Sequence, residues 1–576
     1  MMSYASVVAL LASLPFALGL TLPNTVWLAN LDGRTTQNFI QFQVCAGLLG
    51  RAENEQVLQD LGFDGVYLDG GDFALTWLAL TQGSAPVKQE EPDDLLDICF
   101  SSGVAKGYIK YDYEAQKPIV PNIITLAAML DAIPVDISDA TALNVDGKDM
   151  LFDATVSWKS FEAIEATDYM FRHYVNETTS MYKMNPGYAT NSFMPDLHPE
   201  LTGEPHVNAV DFIVKNKLFC FFMVKNCVPL TKEHALMEEM VNNNPWPSPI
   251  PVYGYDDSIQ FFGGQAYEAE TNCVAEHNLG QIASSGTANL AWHGNRDPLT
   301  ENMKQPENLH DGLEYDPEKN YVTFVVGDGD NLNVLVGRNL PWILARQKKC
   351  GGSKRGTCYP LLWTFSARAL DLLPDLSRYF YDFAANTGSD YFMLPPSGDL
   401  YSYPSTMNDE SKEAYIETME ADWERMGGST SVHWEWFYSW LSSIDNYFSL
   451  FGGKGARGFF LTTVPYMFPM PAFFKRGEDF KVVGDAENVV LFRSNEWRGT
   501  QGHPHENKWT PEQLAEKLMG EKGAVTHLYL TSDGNNAPDA FDQLFDLLDD
   551  SVVVVNDEAL VNLALQKHAL QKNRLK

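Results

Sequence analysis

The sequence predicts a multidomain α/β protein, with a (β/α)8-like barrel at its C-terminal end preceded by smaller α/β domains. Three observations lead there. At 576 residues the chain is longer than one hydrophobic core usually supports. From residue 319 onward, short apolar runs alternate regularly with helical patterns. Before that point the alternation is looser and is broken by a Pro/Asn-rich stretch. The composition, 45% hydrophobic and 20% charged, is that of a folded globular protein and excludes general disorder.

Taken in order, residues 1–19 read as a signal peptide: an uncharged apolar stretch, Ser6–Phe16, precedes the small residues Ala17 and Gly19, which suits an h-region and a cleavage site. The domain 21–136 mixes strands at Thr25–Leu28, Gly65–Leu68 and Gly107–Tyr111 with helices at Thr36–Gly50 and Ile123–Ala132. Residues 137–247 look mainly helical and close in Asn242-Asn-Asn-Pro-Trp-Pro-Ser-Pro249, a linker composition. A small third domain spans 248–318. In 319–576 the expected strands are Tyr321–Val326, Tyr359–Trp363, Tyr391–Leu394, Ser431–Trp436, Gly458–Thr463, Val489–Phe492, Thr526–Leu530 and Val552–Val555. Helical patterns fall between most of them, which is the arithmetic of a (β/α)8 barrel; an open doubly wound sheet gives a similar pattern.

Charge narrows the partners. The chain has 41 Lys+Arg against 76 Asp+Glu, a formal net charge of -35, so it repels phosphate backbones and anionic surfaces. Nucleic acid is therefore excluded as a general partner, and uncharged substrates stay open. No run approaches the roughly 18 apolar residues of a membrane span. Seven cysteines are too few for a disulfide scaffold, but local spacing suggests the pairs Cys350–Cys358 and Cys220–Cys227 in an oxidising compartment.

In either α/β architecture chemistry belongs at the C-terminal ends of the strands. Asp328, Asp330 and Asn331 follow the first of the eight, Trp363, Thr364, Ser366 and Arg368 the second, and Ser397, Asp399, Tyr401 and Tyr403 the third. Arg493 and Glu496 follow the sixth, with Asp533 and Asn535 after the seventh. In Gly327-Asp-Gly-Asp-Asn331 the glycines are expected to take positive φ and turn both carboxylates toward one point. Such a pair suits sugar hydroxyls, acid or base work, or a divalent cation such as Ca²⁺ or Mg²⁺. An Asx-turn capping the next helix through Asn331 is the plain structural alternative. No cofactor is otherwise implied. Along Ser431-Val-His-Trp-Glu-Trp436 the alternation sets His433 and Glu435 on one face, expected to point into the barrel, with Val432, Trp434 and Trp436 toward the helices.

Two segments carry a resemblance. Pro396-Ser-Gly-Asp-Leu-Tyr-Ser-Tyr-Pro404 resembles the signature of the GxGYxYP putative glycoside hydrolase family, and Tyr321-Val-Thr-Phe-Val-Val-Gly-Asp-Gly-Asp-Asn331 is similar to the family strand ending in Ser-Asp-Gly-Asp-Asn. Gly107–Asp112, Asn122–Ala127 and Ile133–Asp136 also look like its first domain. This chain departs at two positions: Leu400 stands where the signature has its second glycine, and Gly327 where the family strand has serine. The resemblance implies several small N-terminal domains before a hydrolase-like domain, and a glycan as substrate.

Glycosidic cleavage normally employs two carboxyl groups. The expected catalytic candidates are Asp330 and Glu435 first, with Asp328 and Asp399. Asn331, Trp363, Arg368, Tyr401, Tyr403, His433 and Glu496 are expected to bind substrate, the aromatics by sugar stacking. Two alternatives stand beside this reading. One is metal-dependent hydrolysis or deacetylation, drawing on Asp328, Asp330 and the histidines His433, His503 and His505. The other is a non-catalytic carbohydrate-binding surface protein.

Overall fold

The computed structural model describes residues 25–575 except 71–72, 83–85, 139–144, 146, 185, 189–200, 255–272, 285, 437–438, 454, 456, 463–473, 476, 485–486, 498–508 and 531–537. The signal-peptide segment, Thr463, His503, His505, Asp533 and Asn535 lie outside the described residues. The chain forms two compact units. One runs up to Pro298 and includes Asp371–Leu376; the other takes Leu299–Leu370 and Ser377–Lys576.

The first unit is built from parallel sheets. Strands β1 (Val26–Asn30), β2 (Gly65–Asp69) and β3 (Val87–Glu90) lie in the order β2-β1-β3; β4 (Gly107–Tyr111), β5 (Ala132–Asp136) and β6 (Met150–Asp153) in the order β5-β4-β6. After β7 (Met181–Lys183), an antiparallel pair β8 (Pro186–Tyr188) and β9 (Leu201–Pro205) precedes β10 (Phe219–Phe221), β11 (Ile250–Gly254) and β12 (Leu279–Ala283). The third parallel sheet has the order β10-β7-β11-β12. The stretch read as mainly helical thus carries five strands, each of only three or four residues or in the short hairpin, too brief to print an alternation of their own. The expected helix at 36–50 forms over Thr36–Leu49, started by Thr35, whose hydroxyl accepts from the Asn38 N–H. Nine of its residues are buried, as its nearly uniform apolarity requires.

All eight strands expected in the second unit are present: β13 (Asn320–Val326), β14 (Leu361–Thr364), β15 (Asp390–Met393), β16 (Thr430–His433), β17 (Gly458–Leu461), β19 (Val489–Phe492), β20 (Val525–Leu530) and β21 (Val552–Val554). One more, β18 (Phe480–Val483), runs antiparallel to β19. They form two sheets, β15-β14-β13-β20 with β21 also on β13, and β16-β17-β19-β18. No closed barrel results. β20 pairs with β13 from Tyr321 to Val326, where an eighth strand would close the ring, and β21 is left only Asn320–Val322. The sheets touch at two isolated parallel bridges, Leu394 with Ser431 and Glu496 with Tyr529. They nevertheless share one buried cluster: Val325, Leu362, Met393, Val432, Phe460, Phe492 and Tyr529, closed by Ala559–Ala564 of the last helix, Asp557–Leu575.

Of the two suggested disulfides, Cys350–Cys358 forms. Cys220–Cys227 does not: Cys227 bonds Cys273, Cys45 bonds Cys99, and Cys220 stays a buried thiol in the middle of β10. Short spacing misled there because a strand holds Cys220 in the core while its neighbour sits in the following loop. Among the described residues no helix is long and apolar enough to cross a membrane.

Candidate active site at the strand ends

The turn Gly327–Asn331 leaves the C-terminal end of β13 and is tied to both flanking strands. On one side the Gly327 N–H donates to Leu530 O (2.6 Å) and the Asp328 N–H to the Tyr529 hydroxyl (3.1 Å). On the other the Gly329 N–H donates to Thr364 Oγ1 (2.9 Å), whose own proton goes to Val326 O (2.8 Å), and Gly329 O accepts from the Ser366 N–H (3.0 Å). The glycines serve close approach. A Cβ on Gly327 would overlap the ring of Tyr529, and one on Gly329 the carbonyl of Thr364. Positive φ, expected of the glycines, falls instead on Asp328 at 64°.

That conformation places Asp328 near Asp330. Burial, and next the charge of Asp328, hold the Asp330 carboxyl well above the usual carboxylate range. A backbone hydrogen bond from Asp330 itself acts the other way and is outweighed. Asn331 closes an Asx-turn, its Oδ1 accepting from the Asn333 N–H (3.0 Å), so the structural alternative is also realised at that residue. The helix that follows opens with a wide turn, Val334–Arg338, a distortion frequent near functional sites.

The signature loop follows β15. Its Pro396–Ser397 peptide is cis, and Gly398 has a φ of 118° with no room for a Cβ beside Met419. Leu400 is held by Tyr415, whose hydroxyl accepts from the Leu400 N–H (3.2 Å) and donates to Leu400 O (2.9 Å). Asp399 is buried and bonds the Arg368 guanidinium at 2.5 Å. Its other oxygen, Oδ1, is buried with no donor, as is Oδ2 of Asp422 from the helix Asp409–Met426. Burial first, then the charge of Asp399, pushes Asp422 up to about 8.

The signature tyrosines are buried. Tyr401 packs edge-on to Trp434, with ring centroids 4.7 Å apart, and Tyr403 meets Trp434 and Trp436, each at 6.1 Å. Trp434 and Trp436 are themselves part-exposed. Trp363 belongs to the core: its indole N–H donates to Asp390 (2.8 Å), and its ring packs on Trp342 and Phe383.

His433 and Glu435 do share a side and bond each other at 3.0 Å, but the assignment of faces is reversed. Val432 joins the shared interior cluster. His433 lies among Trp440, Tyr447, Phe448 and Phe459 on the helix side. The interior is as apolar as the helix side, so alternation fixed the grouping and not the direction. Neither side chain has exposed surface, and Glu435 Oε2 also accepts from the hydroxyls of Ser405 and Ser439. Glu496, nearly buried, accepts from Thr462 (2.7 Å) and lies where β19 runs on to meet β20.

Asp328 and Glu496 thus each lie beside Tyr529, one at its hydroxyl and the other at its main chain, with Asp330 near Asp328, whereas Glu435 and Trp363 are turned into packed surroundings. Sequence reasoning placed Thr364 at its strand end but did not single out Tyr529 or Asp422. Tyr529 sits inside an apolar strand, where a hydroxyl reads as one more β-former, and Asp422 lies on a helix with a charged surface. Among the described residues no group of three or more His, Cys, Asp or Glu is gathered that would hold a metal ion.

A parallel α/β unit with carboxylates on its strand-end loops has the layout of many hydrolases. Residues 318–437 match the family model described as "GxGYxYP putative glycoside hydrolase C-terminal domain", and both resembling segments, 321–331 and 396–404, lie within that stretch. The chain is also similar to a crystal structure described as a putative hydrolase from Bacteroides thetaiotaomicron VPI-5482. The TM-score is 0.70, over 95% of this chain and 96% of that one, and the sequence identity is 18%; the likeness is one of fold. No curated protein matches the chain.

Proposed function

We propose that this is a secreted glycoside hydrolase whose C-terminal unit cleaves an uncharged glycan by carboxylate acid/base chemistry. The observation that carries the reading is Asp330, at the end of the central strand, its carboxyl held well above the usual carboxylate range by burial and by Asp328. A carboxyl group in that state donates a proton to the leaving oxygen of a glycosidic bond. Glu496 is the partner carboxylate, the base or nucleophile, because it lies at a neighbouring strand end and Glu435 is enclosed by its own hydrogen bonds. The part-exposed rings of Trp434 and Trp436, backed by Tyr401 and Tyr403, offer the sugar a stacking face. Arg368 and Asn331 supply polar contacts beside it.

The two bridges and the single interior cluster support reading the strands as an opened (β/α)8-like barrel. Its domain would be 319–576, behind modules at 21–136, 137–247 and 248–318. Three disulfides support passage through an oxidising compartment.

The test is turnover of a panel of uncharged glycans by the full chain and by Asp330→Asn. The variant should lose about 10²- to 10⁴-fold in turnover, the usual worth of a general acid, while binding measured by calorimetry persists. Wild-type turnover by Asp330→Asn would remove the acid role. If the unaltered protein binds glycans and hydrolyses none, it is a carbohydrate-binding protein. Turnover lost on chelation and restored by Ca²⁺ or Mg²⁺ would make Asp328 and Asp330 metal ligands instead.

A further inference from the structure

We propose that Tyr529 is a positioning residue that fixes the Asp328–Asp330 turn against the strand end carrying Glu496. The inference rests on the acid/base reading above and adds a residue to it. Tyr529 reaches both carboxylate-bearing segments. Its hydroxyl accepts from the Asp328 N–H at 3.1 Å, and its ring lies against Gly327, where a Cβ would overlap it. Its main chain clasps the other side. The Tyr529 N–H donates to Asn495 O (2.8 Å) and Tyr529 O accepts from the Trp497 N–H (2.9 Å), so both neighbours of Glu496 are bonded to Tyr529.

The clasp bears on chemistry through Asp328. That residue has a left-handed φ of 64°, a conformation that Asp tolerates better than most side chains but that still costs more than in glycine, so bonds to its N–H help to hold it. The Tyr529 hydroxyl bonds its N–H and the Thr364 hydroxyl the next N–H, so side chains of both flanking strands hold the turn. Keeping Asp328 there keeps its charge near Asp330, where it is the one charged group, besides burial, that raises the carboxyl. Tyr529 is nearly buried in the apolar cluster, so phenylalanine fills the same space and removes the oxygen alone.

The experiment needs no substrate. Wild type and Tyr529→Phe are labelled with a water-soluble carbodiimide and glycinamide across pH, and modification at Asp330 is read by peptide mass spectrometry. The wild-type midpoint should lie well above the usual carboxylate range, and in Tyr529→Phe it should fall by about one pH unit as the like charge withdraws. Should Tyr529→Phe not fold, Gly327→Ala pushes the ring off the turn and must give the same downward shift. A high wild-type midpoint that neither variant moves overturns the role of Tyr529 and leaves the acid reading intact. A wild-type midpoint already in the ordinary range sinks the acid reading itself.

Discussion

Replacing Asp422 with asparagine probes the acid pair beneath the signature loop. Asp422 titrates at about 8 in the folded protein against 3.8 for an unperturbed side chain. Between those values the folded protein holds a proton that the unfolded chain has released. A raised carboxyl pKa gives stability that is complete below about pH 4, declines as the pH rises, and is gone above about pH 8. The decline is at most about 1.4 kcal/mol per pH unit, or about 6 kcal/mol across the window. Asp399 Oδ1 and Asp422 Oδ2 are both buried without a donor, so the proton belongs to the pair. The charges of Arg368 and Arg425 act against the shift. An asparagine carries no such proton, and its amide can donate to Asp399. Urea unfolding of wild type and Asp422→Asn at a series of pH values should therefore give diverging curves. Wild type should lose ground to the variant by about 1 kcal/mol per unit from about pH 5 to about pH 8 and then run parallel. Parallel curves across the whole range would mean that Asp422 is ionised in the fold, and the shared proton would have to be abandoned.

Three other outcomes follow from the packing. Gly329→Ala drives a Cβ into the carbonyl of Thr364, a backbone atom that cannot step aside; it should cost about 1–3 kcal/mol and at least about tenfold in turnover, and an unchanged melting temperature would refute the close approach. Loop length ranks the disulfides: removing Cys45–Cys99, with a separation of 54, should cost about 4 kcal/mol, and removing Cys350–Cys358, with a separation of 8, about 2.5 kcal/mol, an order that urea midpoints of the double-serine variants would check. Thiol titration in denaturant without reductant should find one reactive cysteine of the seven, Cys220.

The strands of the second unit were legible because most are short runs rich in apolar and β-branched residues; Tyr321–Val326 before Gly327 is the clearest, with all of β13 buried. Closure was not legible. Whether β20 or β21 takes the long edge of β13 depends on hydrogen-bond register, which neither Val525–Leu530 nor Val552–Val554 announces in its residues. The direction of His433 failed for a related reason, since Val432 meets Phe460 and Phe492 inside while His433 meets Phe459 and Tyr447 outside. Two apolar environments leave parity without a sign. The place of Asp328 and Asp330 at a strand end was legible, because an apolar run that stops at a glycine marks where a strand ends. Tyr529 was out of reach, since only the fold brings it to Gly327. Cys227–Cys273 was missed because distance along the chain says little about distance across it.

The ring of Tyr529 over Gly327 makes these two positions answerable to each other. A chain that regains the serine of the family strand at 327 must give up volume at 529, and a chain with a smaller residue at 529 is free to carry a side chain at 327. Across relatives the two columns should therefore vary together, with glycine against tyrosine and serine against something smaller. Gly327 and Tyr529 form one packing unit in this sense, and a larger residue at 327 without a smaller one at 529 should cost stability.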